Sequence, residues 1–261
     1  MGRFLFLGSG GSMGVPVIAC DCEVCKSPST LNKRLRPAGL VTVGGKNFLI
    51  DTGPDFRTQA LTNNIKSLDG VLFTHAHNDH TAGIDELRVF YIIAKKLLPC
   101  LMSYETYKEL KTRFAYLFAE ELPKHQLVSR LHVQLLQELR GTTHFVGQKI
   151  QYMSYEQAGM QVNGYRFGDF AYISDIRHYP ETIFEDLKGV KYLVLSSLKF
   201  APSPLHFNID ESIEFANKVQ AKQTWLTHIS HELDHEKGNA YLPPHIRLAY
   251  DGLEITFDEE G

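Results

Sequence analysis

The sequence predicts an α/β fold, because apolar runs typical of buried strands alternate along the chain with segments of helical periodicity. At two places, near residues 75 and 228, a run of this kind ends directly in a group of histidines. Ligand side chains that follow a strand in this way lie on a turn.

The composition is that of an ordinary globular protein, with 43% hydrophobic and 22% charged residues in a length of 261. We expect one domain over residues 1–261. The apolar stretches are too short for a membrane span or a signal peptide, so we expect a cytoplasmic protein without a membrane partner. The net charge of -3 shows none of the excess positive charge that is typical of nucleic-acid-binding proteins. We therefore do not expect nucleic acid as a partner.

The first predicted strand, at residues 3–7, leads into a glycine-rich loop that lacks the GxGxxG spacing of dinucleotide-binding proteins. Three cysteines follow within six residues, and without export signals we expect thiolate ligands instead of disulfides. Cys100 lies in an apolar run and is expected to be a buried small side chain, so His231 is the better fourth ligand for a structural zinc. The alternative is a surface loop with free cysteines. The three cysteines are Cys20, Cys22 and Cys25.

Residues 40–50 predict a hairpin that turns at a glycine pair, and a helix is expected to follow, through Asn63. Asp51, at the end of the second strand, could orient a ligand histidine, although a turn or cap aspartate fits equally well. Arg34 and Arg36 either contact a substrate or belong to a solvated basic loop, which we favour.

The apolar run at 71–73 predicts a buried strand that opens into a ligand-rich turn, and residues 81–98 predict a helix. The first two histidines of this turn, two residues apart, can reach one ion, while the last two ligands are aimed at a neighbouring point. Imidazole and carboxylate together suit zinc, iron or manganese better than calcium. The alternative is a solvated histidine-rich loop. The ligand residues are His75, His77, Asp79 and His80.

The middle of the chain predicts further strands and one amphipathic helix, whose aromatic residues are more typical of a core than of a substrate platform. We expect the strands at 99–104, 131–139 and 149–155, the helix at 105–118, and surface positions for His125, His132 and His144.

Residues 164–175 predict a hairpin that ends in Asp175, which alone would be typical of a helix N-cap. A strand at 191–197 and a helix at 209–219 follow, with His206 in the loop between them. A last strand ends at His228, and His231 lies on the other side of the same turn, within reach of the cysteine loop.

The HxHxDH pattern of residues 75–80 resembles the signature of the metallo-β-lactamase superfamily. The resemblance implies an αββα sandwich, a one- or two-metal site on the sheet edges, and hydrolase activity. The CxCxxC loop, Thr-His-Ile-Ser-His at 227–231 and the tail at 241–252 resemble its PhnP-like phosphodiesterase branch over nearly the whole chain.

The resemblance also implies roles for the site residues. Asp175 would bridge two catalytic metals, each zinc, manganese or iron, and Asp79 and His206 would be catalytic, His206 as the donor to the leaving oxygen. The first metal would be held by His75, His77 and Asp175, with Gln157 as a further candidate ligand, and the second by Asp79, His80, Asp175 and His228.

One position departs from the family pattern. Where members of this branch carry a third histidine for the first metal, this chain has Gln157, whose amide oxygen is a poorer zinc ligand. We therefore expect one or two catalytic metals.

These observations predict a phosphodiesterase that acts on a small phosphate ester, including cyclic ones, through a hydroxide supplied by the metals. A second hypothesis is a ribonuclease Z-like nuclease, against which the zinc loop and the lack of a basic extension count. A third is a non-catalytic binding protein, resembling the pyrroloquinoline quinone biosynthesis protein, which Gln157 keeps open. A homodimer is compatible with the sequence.

Overall fold

The computed structural model describes residues 1–118 and 130–260, which form two seven-stranded sheets with helices on their outer faces. The first sheet contains β1 (Gly2–Gly8), β2 (Ala38–Val43), β3 (Lys46–Ile50), β4 (Gly70–Leu72), β5 (Leu98–Met102), β6 (Leu131–Leu135) and β14 (Glu254–Phe257). The second contains β7 (Arg140–Phe145), β8 (Gln148–Gln157), β9 (Met160–Phe167), β10 (Phe170–Ile173), β11 (Tyr192–Ser196), β12 (Gln223–Thr227) and β13 (Ile246–Leu248). The α-helices are α1 (Glu23–Lys26), α2 (Phe56–Thr62), α3 (Asn78–Thr81), α4 (Arg88–Ala94), α5 (Tyr104–Arg113), α6 (Ile183–Asp186), α7 (Ile209–Val219) and α8 (His235–Tyr241).

Both sheets have the same internal plan. In the first, strands pair antiparallel in the order β14, β1, β2, β3 and then parallel from β3 through β6. In the second, β7 to β10 are antiparallel and β10 to β13 are parallel. Because the carboxyl ends of parallel strands meet at one edge of a sheet, the loops after them can converge on a site.

Three apolar clusters separate the layers. The central cluster lies between the sheets, where Phe170 packs against Phe4 and Phe257 with ring centroids 4.8 Å apart. The other two clusters lie between one sheet and its helices. Burying one such aromatic side chain contributes about 1.5–3 kcal/mol. The layers are helix, sheet, sheet and helix, so the predicted αββα sandwich is confirmed.

The two predicted hairpins are confirmed as β2–β3 and β9–β10. The single helix expected over 81–98 is wrong, because it is divided into α3, a 3₁₀ turn at Ile84–Leu87 and α4. Gly83 lies at the first break, where an added Cβ would come within 2.2 Å of the Gly53 carbonyl oxygen. This close packing of the two loops sets the break, and periodicity alone does not reveal it.

The strand expected over 131–139 is also wrong, since β6 ends at Leu135 and β7 begins at Arg140. No glycine or proline marks the turn between them, and the polar sequence of β7 gave no strand signal. His132 and His144 are exposed as expected, while His125 lies outside the described residues. None of the described helices is long and apolar enough to cross a membrane.

Candidate metal centre

The ligand-rich turn, Asp175 and His228 meet at the carboxyl ends of β4, β10 and β12, the edge at which parallel strands present their loops. Three residues at strand ends here have left-handed backbone, namely Asp51 (φ 64°), Asp175 (φ 55°) and His228 (φ 60°). Left-handed backbone is strained for residues other than glycine. These conformations therefore turn the three side chains toward the centre at an energetic cost.

Four side chains form the best-defined part of the centre. Nε2 of His80 lies 3.4 Å from Asp79 Oδ2 and 3.2 Å from Asp175 Oδ2. Nε2 of His228 lies 3.4 Å from Asp79 Oδ2 and 3.1 Å from Asp175 Oδ1. Bonds of ~2.0–2.2 Å in a tetrahedron separate the ligand atoms by roughly 3.3–3.6 Å, so these distances suit the ligands of a divalent transition metal. Asp79, His80 and His228 form one cluster, and Asp175 contacts both histidines, each through a different oxygen. We call these four side chains the four-ligand cage.

The neighbouring position is less closed. Nε2 of His75 lies 2.9 Å from Nδ1 of His77, and His75 also clusters with His80 and Asp175. Within residues 1–118 and 130–260, however, His77 joins no cluster of three ligand atoms that all lie within 4.8 Å of one another. The structure therefore brings all four residues of the turn together but gathers the ligands of the second ion more tightly than those of the first.

Asp51 fixes the orientation of the cage. Its Oδ2 lies 2.7 Å from Nδ1 of His80, and because a carboxylate only accepts, Nδ1 carries a proton and Nε2 is the ring atom left to bind a metal. The backbone N–H and the hydroxyl of Thr74 donate to the same carboxylate at 2.8 Å. Of the two predictions for Asp51, this geometry agrees with the orienting role.

The charges of the cage suit a cation. Burial by itself would lower the pKa of His80, but the carboxylates of Asp175, Asp79 and Asp51 outweigh burial and hold that pKa well above its usual value. Burial likewise acts to raise the pKa of Asp175, and the charges of His228 and His80 reverse this effect and hold it well below the usual range. Burial also acts to raise the pKa of Asp79, but the charge of His80 and the hydrogen bond to His228 outweigh burial and lower that pKa. Both carboxylates are therefore ionised and able to accept a metal.

Gln157 and His206 lie beside Asp175. The buried Gln157 amide places Nε2 3.5 Å from Asp175 Oδ1 and 3.1 Å from His206 Nε2, and its Oε1 makes no hydrogen bond within the described ranges. The ring of His206 stacks on His228 with centroids 4.6 Å apart. Burial, followed by the charge of His228, lowers the pKa of His206 to about 4, so this imidazole is neutral near pH 7.

The Cys3His cluster, formed by Cys20, Cys22, Cys25 and His231, is a separate candidate metal-binding group. Nδ1 of His231 lies 3.3 Å from the Cys20 sulfur and 3.5 Å from the Cys22 sulfur, close to the spacing of a tetrahedron with Zn–S bonds of ~2.3 Å. The backbone N–H of Cys25 and then His231 lower the pKa of Cys22 to about 6, which favours the thiolate that binds metal. Cys100 is fully buried, as expected.

One short segment connects the two groups. His228 and His231 are separated by two residues, of which Ile229 exchanges backbone hydrogen bonds with Ser9 and Gly11 of the glycine-rich loop at 3.0 and 2.9 Å. A Cβ on Gly11 would lie 3.4 Å from the His228 ring, so this loop packs directly behind a cage ligand.

The solvated basic loop expected around Arg34 is wrong. Arg34 is 2% exposed and donates to Ser9 Oγ, to the Ala249 carbonyl and to Nδ1 of His235. Arg36 is partly exposed and pairs with Asp55 at 3.2 Å.

Sequence reasoning missed Arg113 and Thr74, which contact the ligand-rich turn, because neither lies in a motif.

Residues 46–229 match the family model described as the β-lactamase superfamily domain. The chain belongs to the metallo-β-lactamase superfamily. A crystal structure of a new diphosphatase from the PhnP family is 38% identical over 97% of this chain and 96% of that chain, with a TM-score of 0.89. This metallo-β-lactamase superfamily member therefore has a hydrolase fold with candidate metal-binding clusters, and it resembles the PhnP family.

Two further solved structures share the fold of this superfamily member. Zn²⁺-bound PqqB from Methylobacterium extorquens has a TM-score of 0.76 at 17% identity, covering 98% of this chain and all of that chain. Human tRNase Z, short form, has a TM-score of 0.67 at 17% identity, covering 97% of this chain and 98% of that chain. Such low identity bears on the fold alone.

A curated octanoyltransferase from Porphyromonas gingivalis (strain ATCC BAA-308 / W83) is 33% identical over 99% of this chain. The chain spans 52% of that protein's length, about half. The activity named for the whole relative therefore does not transfer to this metallo-β-lactamase domain directly.

Proposed function

We propose that the protein is a metal-dependent phosphodiesterase that hydrolyses a small phosphate ester, with cyclic esters included. The observation that carries the proposal is the four-ligand cage beside His75 and His77, in a chain 38% identical to a PhnP-family diphosphatase over nearly its whole length. The buried ligand atoms suit a divalent transition metal, and the exposed part of the turn leaves the centre open on one side.

Divalent ions bound at the cage and at His75 and His77 would supply Lewis acidity toward phosphoryl oxygens and a nucleophile from water near neutral pH. The residues of this chain prepare that chemistry. Asp51 holds the His80 ring so that Nε2 faces inward. Asp175 belongs both to a cluster with His75 and to a cluster with His228, which would allow its carboxylate to serve two ions.

His206 contributes a neutral ring beside the centre. With a pKa of about 4 it does not store a proton near pH 7, so it acts on the leaving oxygen as a neutral N–H donor and not as a preformed imidazolium. Gln157 lies against that ring and against Asp175. Its amide oxygen is the ligand we assign to the first ion, which it would hold more weakly than an imidazole does.

The relative named octanoyltransferase favours a second candidate, hydrolysis of an acyl ester or thioester at the same centre. The same Lewis acidity would act on a carbonyl. We favour phosphate esters because the PhnP-family diphosphatase matches nearly end to end, whereas the octanoyltransferase has a second half that this chain does not match.

The test is hydrolysis of bis(p-nitrophenyl) phosphate and of p-nitrophenyl octanoate by metal-loaded protein, with Asp79→Ala and His228→Ala as inactive variants. His144→Ala removes an exposed histidine and is the matched control for His228→Ala. We expect the diester to be cleaved by the parent and the control only. Cleavage of the octanoate alone would favour the second candidate, and equal diester rates in all variants would place the chemistry elsewhere.

A further inference from the structure

The guanidinium of Arg113 contacts the ligand-rich turn at residues that are not metal ligands. Its NH2 donates to the Ala76 carbonyl, and its NH1 donates to Asn78 Oδ1 at 2.7 Å. NH2 also lies 3.4 Å from Thr81 Oγ1. Arg113 is the last residue of α5, so a helix end anchors the turn from outside the strands that carry the ligands.

The two main acceptors occupy the gaps in the motif. Ala76 lies between His75 and His77, and Asn78 lies between His77 and Asp79. The planar fork of a guanidinium presents several donors in a fixed geometry, so one side chain sets the separation of these two positions. Thr81 completes the arrangement by donating from its hydroxyl to the carbonyl of His77 at 2.8 Å.

Ala76 and Asn78, which receive these contacts, are not metal ligands, whereas His77, which lies between them, is one. His77, flanked by both acceptors, is the least enclosed of the four ligands in the turn, since among the described residues it joins no cluster of three ligand atoms. The backbone on either side of His77 is therefore held by a residue from another element, while its own ring makes few contacts with the cage.

We propose that Arg113 is a positioning residue that holds His77 and Asp79 in place for the two catalytic ions. The inference rests on the proposed metal centre and is independent of the substrate. Glu109 lies 3.5 Å from Nε of Arg113 and partly neutralises it. The fork acts by hydrogen bonding to the turn, and its charge is not required.

The sign of the effect separates positioning from charge. Arg113 is a cation near a site for dications, so through-space repulsion predicts tighter metal binding once the side chain is removed. Positioning predicts weaker binding. Loss of a group bonded directly to a metal ligand typically lowers metal affinity 10–100-fold, and Arg113 acts through residues beside the ligands, so its effect should lie at the lower end of that range.

The experiment titrates cobalt(II) into metal-free Arg113→Ala, Arg113→Lys and Asn78→Ala proteins, with Arg140→Ala as the control for loss of a surface arginine in an ion pair. Cobalt bound to thiolates has a charge-transfer band that identifies the Cys3His cluster, and cobalt bound to imidazole and carboxylate lacks it. The two sites are therefore followed separately and without a substrate.

We expect Arg113→Ala to weaken binding at the catalytic centre by about 10-fold, with the thiolate band unchanged. Arg113→Lys should fail to restore affinity, because an ammonium cannot bridge both acceptors. Asn78→Ala, which removes one acceptor, should give a smaller loss and tests the inference if Arg113→Ala does not fold. Unchanged or tighter catalytic binding, full rescue by lysine, or equal losses at both sites would each overturn the inference.

Discussion

Nδ1 of His80 lies 2.7 Å from Oδ2 of Asp51, and both side chains are completely buried. The two residues are 29 positions apart in sequence and meet because β3 and β4 are parallel neighbours. The pair therefore couples the sheet to the metal ligand, and the ring of His80 cannot rotate without breaking a buried charged contact.

Asp51→Asn should weaken the ion in the four-ligand cage about 10–100-fold, because the amide no longer accepts reliably from Nδ1 and the tautomer of His80 is released. Metal affinity measured by chelator competition checks this expectation. Asp55→Asn, which alters a carboxylate paired with Arg36 at the protein surface, is the control and should bind metal as the parent does. Parent-like affinity in Asp51→Asn would show that the pair does not support the ligand.

Cys22→Ser should lower the melting temperature and remove one equivalent of metal, because a closed site with four protein ligands contributes directly to folding. Cys100→Ala is the control, since it perturbs a buried cysteine that lies outside both metal groups. Metal content and thermal unfolding are measured together. If Cys22→Ser kept its full metal content and melting temperature, the structural zinc would have to be abandoned.

Gln157→His should raise the occupancy of the first catalytic ion and the diester rate, because an imidazole gives a transition metal a better ligand than an amide oxygen. The position is suited to this change, since the Gln157 amide already lies 3.5 Å from Asp175. Rate is followed during metal titration, with the exposed Gln137→His as the control. A parent that binds two catalytic ions tightly, with no gain in the variant, would argue against Gln157 as the weak ligand.

The free energy of unfolding should fall as the pH drops from about 6.5 toward 4, partly through His235. Burial, followed by the charge of Arg34, lowers the pKa of His235 to about 4, whereas the unfolded chain takes up its proton near the usual value of 6.5. Within this window the unfolded state binds more protons, so it gains stability as the pH falls. Above pH 6.5 this group has no effect.

His235→Asn should reduce the pH dependence, because its side-chain oxygen can still accept from Arg34 but does not titrate. Denaturant unfolding of parent and variant across the same pH range isolates this contribution, since the metal ligands are common to both proteins. Identical slopes would exclude His235 as a contributor.

Much of the centre was predictable because its ligands are local in sequence. Residues 75–80 form one turn, and the three cysteines form another, so spacing alone indicated both metal groups. The hairpin at Gly44 and Gly45 was also predictable, since both glycines have positive φ and mark the turn.

The remainder depends on contacts between distant segments. The buried position of Arg34 follows from the acceptors Ser9, Ala249 and His235, which come from three different parts of the chain. The break at Gly83 arises from packing on Gly53. Neither contact leaves a periodic or compositional signal, so a single sequence cannot reveal them.

The left-handed backbone at Asp51, Asp175 and His228 has an evolutionary consequence. Each conformation costs on the order of 1–3 kcal/mol for a residue with a Cβ, and glycine adopts it without that cost. In a descendant that no longer needed metal, substitutions to glycine would relieve strain and be favoured by selection for stability alone. Decay of the function would then be recorded first at these three positions, while the apolar layers between the sheets stayed unchanged.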